Sequence, residues 1–208
     1  SVAQNLMSNT LGTKYTCPNK DNNYNMTLFD NYNYTVYVPT NNSIRELIDN
    51  GYLPTWEDFE KQDTIAKTSE DADERAKAEI AKYIIKQRIT DFVRYHVQDN
   101  SVAINGAPNM DVQGNYLLSN EFETMKLNPE NKRYFSLKVS QSGPKAGSSA
   151  FINIEDVMGN KRSVVTTSSN LYNHFCRDMW LETSGNTRFI YTSSDAVVHQ
   201  IDGALFFS

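Results

Sequence analysis

Apolar positions along this chain follow two rhythms, a helical one up to about residue 96 and an alternating one beyond it. After Pro39, Ile44, Leu47 and Ile48 recur at helical spacing, and Asn50-Gly51 offers the left-handed stop that ends such a helix. Thr55 followed by Asp58 resembles a capping arrangement for another turn carrying Trp56 and Phe59. From Ser69 to Tyr95 the composition is charged, Ala-rich and free of Gly and Pro, which predicts the longest helix. Asp71, Asp73 and Glu74 suit the positive end of its dipole. Ile85, Ile89, Phe92 and His96 fall on one face at spacings of four, three and four, and that face is expected to be core. Upstream, Val2 to Leu11 can form a short helix, and Lys20 to Asn25 is a polar loop.

Beyond His96 the period becomes two. Val102 with Ile104, then Phe135, Leu137 and Val139, alternate with polar neighbours and predict strands. Phe151-Ile152-Asn153-Ile154 and Ser163-Val164-Val165 flank Gly159-Asn160, a hairpin signal because both turn residues tolerate positive φ. Lys138 to Ala150, with Gly143-Pro144 and Gly147, is expected to be a mobile loop. Arg188-Phe189-Ile190-Tyr191 and two closing strands complete the series. Helices mostly in the first half and strands mostly in the second give an α+β class without βα alternation.

Two apolar phrases near opposite ends carry the most information. Tyr34-Thr35-Val36-Tyr37-Val38-Pro39-Thr40-Asn41 reads as a buried strand stopped by Pro39, with Thr40 or Asn41 capping the helix that follows. Ala196-Val197-Val198-His199-Gln200-Ile201-Asp202-Gly203 reads as an apolar strand around one His, turning at Asp202-Gly203 before Ala204-Leu205-Phe206-Phe207 resumes extended structure. Between them lies Phe92-Val93-Arg94-Tyr95-His96-Val97. In this order the three segments resemble the signature elements of the fasciclin (FAS1) family, over about Asn31 to Phe207. The resemblance implies a β-wedge packed with helices. It implies one domain over 1–208, enlarged by insertions around 51–77 and 111–188. It assigns Thr35, Pro39, Thr40, Asn41, His96, His199 and Asp202 to the family's structural signature. It also implies partner binding through Tyr95 and His96, with Val93 and Val97 beside them, because that segment is linked to receptor binding in adhesion proteins of the family. The residues themselves point elsewhere, since Phe92 and His96 lie on the core face.

Composition narrows the function. The chain has 208 residues and a formal charge of −5, long enough to bury a core and without a Lys/Arg stripe for nucleic-acid phosphates. No apolar run is long enough for a membrane span. The two cysteines, Cys17 and Cys176, allow one disulfide or two thiols, and a core of this size needs no staple. Asn25, Asn33 and Asn41 each begin a glycosylation tripeptide; these are expected to be unused.

No nucleophile elbow, phosphate loop, dinucleotide fingerprint or metal-ligand spacing occurs, and no enzyme, catalytic residue, metal or cofactor is expected. His174 and Cys176 share one side of a predicted strand, as do Glu121 and Glu123, but a strand's ordinary alternation accounts for both pairs. The expectation is an extracellular, non-enzymatic adhesion or binding module of a bacterial cell surface, meeting a surface protein or a polysaccharide. A lipidated N-terminus absent from this sequence would anchor it to an outer membrane. The alternatives are a carbohydrate-binding protein using Tyr116, Tyr134, Tyr172 and Trp180 as platforms, and a spacer domain of a longer surface protein.

Overall fold

The computed structural model describes residues 33–144, 146–166, 174–184 and 187–208, with the backbone alone over 174–184 and 187–195. Strand β1 (Asn33–Pro39) leads into helix α1 (Asn41–Asp49), and Thr40 caps that helix by accepting the Ser43 N–H at 3.4 Å. The helix ends at Asn50-Gly51, where Gly51 takes a φ of 72° that a Cβ would strain. Thr55 and Asp58 form a reciprocal capping box, and helix α2 (Trp56–Thr68) runs well past the single turn expected there. Helix α3 (Ala72–Tyr95) is capped by Asp71, whose carboxylate accepts the Asp73 and Glu74 N–H groups.

Seven strands follow or accompany these helices: β2 (Val97–Asp99), β3 (Ser119–Leu127), β4 (Tyr134–Gln141), β5 (Ile152–Glu155), β6 (Lys161–Ser163), β7 (His174–Ser184) and β8 (Thr187–Ile201). With β1 they make one sheet in the order β6-β5-β4-β3-β2-β1-β8-β7. Every pairing is antiparallel except β1 with β8, which is parallel from Asn33↔Asp195 to Pro39↔Ile201. The first and last phrases of the sequence are therefore neighbours in the sheet. The chain is mixed α+β, and its helices precede most of its strands.

The sheet curls until its β6 end meets the end of β8. Val164 bridges Ile201, Val165 N–H donates to the Gln200 carbonyl at 2.8 Å, and Asp202 N–H donates to the Ser163 carbonyl at 3.0 Å. Apolar side chains collect on both sides of the curl. Tyr34, Val36, Ile44, Leu47, Ile89 and Phe92 pack between sheet and helices, while Tyr37, Leu137, Val139, Ile152, Ile154 and Ile201 pack inside it. Strand β1 is covered on both faces, which explains why Tyr34 to Tyr37 carries no charge.

Three local expectations need correction. Val102 and Ile104 are buried at 4% and 3% but lie outside any strand, because Val102 N–H donates to Thr35 Oγ1 at 2.9 Å and the chain turns at Ile104. The loop expected from Lys138 begins later, since Lys138 to Gln141 completes β4. Ala204 to Phe207 forms no strand. Its backbone is taken up by side chains: Leu205 N–H by His96 Nε2 at 3.0 Å, Phe206 N–H by Asp156 Oδ2 at 2.9 Å, and the Ala204 carbonyl by Arg162 Nε–H at 2.9 Å. The expected Val2–Leu11 helix, the Lys20–Asn25 loop and Cys17 lie outside the described residues, as do the side chains of His174, Cys176, Trp180 and the Arg188–Tyr191 segment.

Candidate functional site

The signature residues converge, and they converge on structure. Thr35 is fully buried on β1, where its hydroxyl donates to the Asn100 carbonyl at 2.7 Å and accepts from Val102 N–H, pinning the turn after β2. Pro39 is the last residue of β1 and Asn41 the first of α1, on either side of the Thr40 cap. Asp202 seals the curl, its Oδ1 accepting Ser163 N–H at 2.9 Å. At the following Gly203 the Arg162 side chain packs against the backbone, so a Cβ there would sit 2.6 Å from Arg162 Nε and displace that side chain from its bond to the Ala204 carbonyl.

His199 projects from β8 and its Nε2 donates to the Val102 carbonyl at 2.7 Å, with the ring stacked 6.4 Å from that of Tyr37. Burial raises the Tyr37 phenol far above its ordinary pKa, so it stays neutral and donates to Gln98 Oε1 at 3.0 Å. Replacing His199 by Ala is expected to leave the buried Val102 carbonyl unpaired and to cost about 1 to 3 kcal/mol. Urea denaturation checks this, and an unchanged midpoint would remove His199 from the structural set.

Tyr95 and His96 lie in the core, and neither forms a contact surface. Both are 0% exposed, as are Val93 and Val97. Tyr95 turns its hydroxyl to accept Val157 N–H at 3.0 Å and packs its ring edge-on to Phe207 at 5.2 Å. His96 has both ring nitrogens committed: Nδ1 donates to the Phe92 carbonyl at 2.8 Å, and Nε2 accepts Leu205 N–H. Burial pushes its pKa from 6.5 down to about 4, against smaller opposing effects of the Phe92 carbonyl and Asp156. The periodicity of α3 pointed inward, and the fold follows it.

Asp156 went unnoticed in the sequence. It is buried and its carboxylate accepts N–H bonds from Met158, Asn160 and Phe206, tying the β5–β6 turn to the C-terminal tail. The available signal was an Asp three residues before Gly159, the opening of a turn.

The outer face of β3, β4, β5 and β6 is accessible. The registers arrange it in rows across the strands. Glu121, Lys138, Glu155 and Lys161 alternate in charge along one row; Ser119, Ser140, Asn153 and Ser163 form the next. Extending the same registers, Leu117, Ser142 and Phe151 form a third row, held by Ser142 N–H to the Phe151 carbonyl at 3.1 Å. Leu117 and Phe151 in this row, and Leu118 and Tyr116 in the segment that borders it, expose apolar side chains. Leu117 is 41% exposed, Phe151 44%, Leu118 50% and Tyr116 42%, with Met110 paired to Tyr116 and a shallow cavity between Tyr116, Gly143, Pro144 and Ala146. At the opposite end Tyr134, 47% exposed, borders a cavity of about 360 Å³ with Asn128, Asn131, Glu121 and Lys138.

Among the described residues no group of three His, Cys, Asp or Glu side chains is placed to hold a metal ion, and no helix is long and apolar enough to cross a membrane. Comparison with family models and with curated proteins finds no match to this chain.

Proposed function

We propose that this chain is a non-enzymatic recognition module of fasciclin type acting at a cell surface, and that it meets a protein partner through the apolar end of the β3–β4–β5 face. The observation that carries the reading is the exposure of Leu117 and Phe151 in one row at the end of an otherwise polar sheet face, with Tyr116, Leu118 and Met110 also exposed in the segment that borders it. Isolated exposed apolar residues need no explanation, but a cluster of large ones beside a polar surface is the usual composition of a protein contact. The family reading is supported by the side-by-side placement of its segments. The two phrases run parallel in β1 and β8, and Tyr37 N–H donates to the His96 carbonyl at 2.8 Å. The non-enzymatic reading is supported by the commitment of both His96 nitrogens to backbone partners.

Beads coated with the protein are expected to adhere to immobilised extracellular-matrix proteins or to intact cells. Adhesion should fall by at least about tenfold for the double variant Leu117→Lys/Phe151→Lys, as for loss of a contact centre. Equal adhesion by a variant with an unchanged melting temperature would refute the assignment.

A polysaccharide partner is favoured by a separate feature, the cavity beside Tyr134. It combines an aromatic face with amide, carboxylate and ammonium groups, the mixture that sugars recruit. A glycan array separates the two readings: a hit lost on Tyr134→Ala supports the sugar site, and an array without hits removes it.

A further inference from the structure

We propose that residues 204–208 form an acid-released strap, clasped by neutral His96 and able to leave its groove as a unit while the sheet and helices stay folded. Among the described residues, the backbone of this segment bonds to side chains alone: Leu205 N–H to His96 Nε2, Phe206 N–H to Asp156 Oδ2, and the Ala204 carbonyl to Arg162 Nε–H. No strand ladder has to break for it to lift. Asp202 stays in place, because its N–H and its Oδ1 both bond the backbone of Ser163, so Gly203 is the first point at which the chain can swing. Space already lies beneath the strap. A cavity of about 480 Å³ lies between it and Ser43, Leu47 and Asn50 of α1, and another of about 220 Å³ between it and Leu53, Arg88 and Phe92; Phe206 and Ser208 line both. The apolar hold is local: Leu205 is buried, and the Phe207 ring meets those of Tyr95 at 5.2 Å and Phe135 at 6.0 Å. The Lys126 ammonium lies over Phe207 but is bonded to Asp91, so it keeps its partner when the strap leaves.

His96 is the anchor that a proton can undo. With Nδ1 donating to the Phe92 carbonyl, Nε2 can accept Leu205 N–H only in the neutral ring, and the strap itself covers that nitrogen. Lifting the strap brings water to Nε2, where an imidazole protonates near pH 6.5. Closed, burial holds the same group to about 4. Between these values the open state binds the proton and the closed state does not, so opening grows as pH falls. From pH 7.5 to 5 the opening equilibrium constant rises about 30-fold. The other groups around His96 leave this sign unchanged. Asp156 of the β5–β6 turn opposes the effect of burial but is the smaller influence, its carboxylate being shared among the N–H groups of Met158, Asn160 and Phe206. Tyr95 on the same helix keeps a neutral phenol, raised by burial, and β1 presents the Tyr37 N–H to the His96 carbonyl. Arg162, at the Ala204 carbonyl, stays charged throughout this range. The device is separate from the β3–β4–β5 face and does not depend on what that face binds.

Amide hydrogen exchange of the full chain tests the strap, with protection read over a fragment that follows Gly203 and over fragments of β1 and β5, each corrected for its intrinsic rate. At pH 7.5 the strap is expected to be at least about a hundredfold less protected than β1, as for an opening that precedes global unfolding. Its protection should fall about 30-fold further by pH 5, with β1 and β5 still protected. In His96→Gln, whose side-chain oxygen accepts an N–H without titrating, that fall should disappear. Equal protection of strap and β1 would mean that the tail leaves only with the whole fold and would overturn the proposal. So would a strap whose protection is the same at pH 7.5 and pH 5, or one whose pH dependence survives in His96→Gln. The first two outcomes are read on the wild-type chain and need no variant to fold.

Discussion

Lowering the pH from 6.5 to about 4 is expected to remove about 3 kcal/mol of stability through His96 alone. In the unfolded chain this imidazole takes up its proton near pH 6.5, whereas burial among Phe92, Tyr95 and the C-terminal tail delays protonation to about pH 4 in the fold. Between those values the unfolded state binds more protons, so the contribution is complete above pH 6.5 and is lost progressively towards pH 4. The geometry gives the same sign. A proton on Nε2 would destroy the acceptor that holds Leu205 N–H, and the tail would lose its attachment to α3. Asp58 and Asp111 have pKa values held below 3.8 by hydrogen bonds from Thr55 and Asn115, so their losses fall at lower pH. Asp99, raised by burial, acts in the opposite direction. Urea midpoints measured at pH 7.5, 6, 5 and 4.5 should therefore slope downward in the wild type and flatten in His96→Gln. Parallel slopes in the two proteins would show that His96 is not the group being titrated.

Removing the Lys126 ammonium is expected to be the most damaging single surface-adjacent change, costing about 3 to 5 kcal/mol. Lys126 on β3 reaches across to α3 and bonds Asp91 at 2.7 Å, with the two side chains only 11% and 13% exposed. Its ammonium also lies 5.3 Å above the ring of Phe207, so one charge joins helix, sheet and tail. Lys126→Met keeps the length and apolar stem of the side chain but strands the Asp91 carboxylate in a place that water scarcely reaches. The double variant Asp91→Leu/Lys126→Met removes both charges and should recover most of the loss, since a buried ion pair offers little over apolar packing. Guanidinium denaturation of the two variants decides the matter. A loss below about 1 kcal/mol for Lys126→Met would mean that the pair is solvated and contributes as an exposed bridge does.

Much of the local structure was legible because its causes lie within a few residues of one another. Thr40, Thr55 and Asp71 cap their helices through bonds to N–H groups two or three residues on, and Gly51 ends α1 through its own φ. Gly159 likewise turns β5 into β6 with a φ of 82°. The inward direction of His96 could be read from its spacing to Phe92 and Ile89. Two of the errors occurred where a distant group claimed the backbone. Val102 alternates with Ile104 as a strand would, but its N–H goes to Thr35, 67 residues earlier. Leu205 belongs to an apolar run, but its N–H goes to His96, 109 residues earlier. Periodicity reports which side chains are buried and is silent on which partner takes the amide.

The sequence by itself determined the α+β class, the caps that start its helices and most of the buried positions, because caps, turns and hydrophobic period are short-range properties. Only the tertiary structure decided that the first and last phrases lie parallel in β1 and β8 and that the sheet curls onto Ser163 and Asp202. It also decided that Tyr95 is spent on Val157 and the tail, while Leu117, Phe151 and Ile80 stay exposed. Those outcomes depend on backbone hydrogen bonds between residues far apart in the chain, and on which apolar faces the available elements suffice to cover.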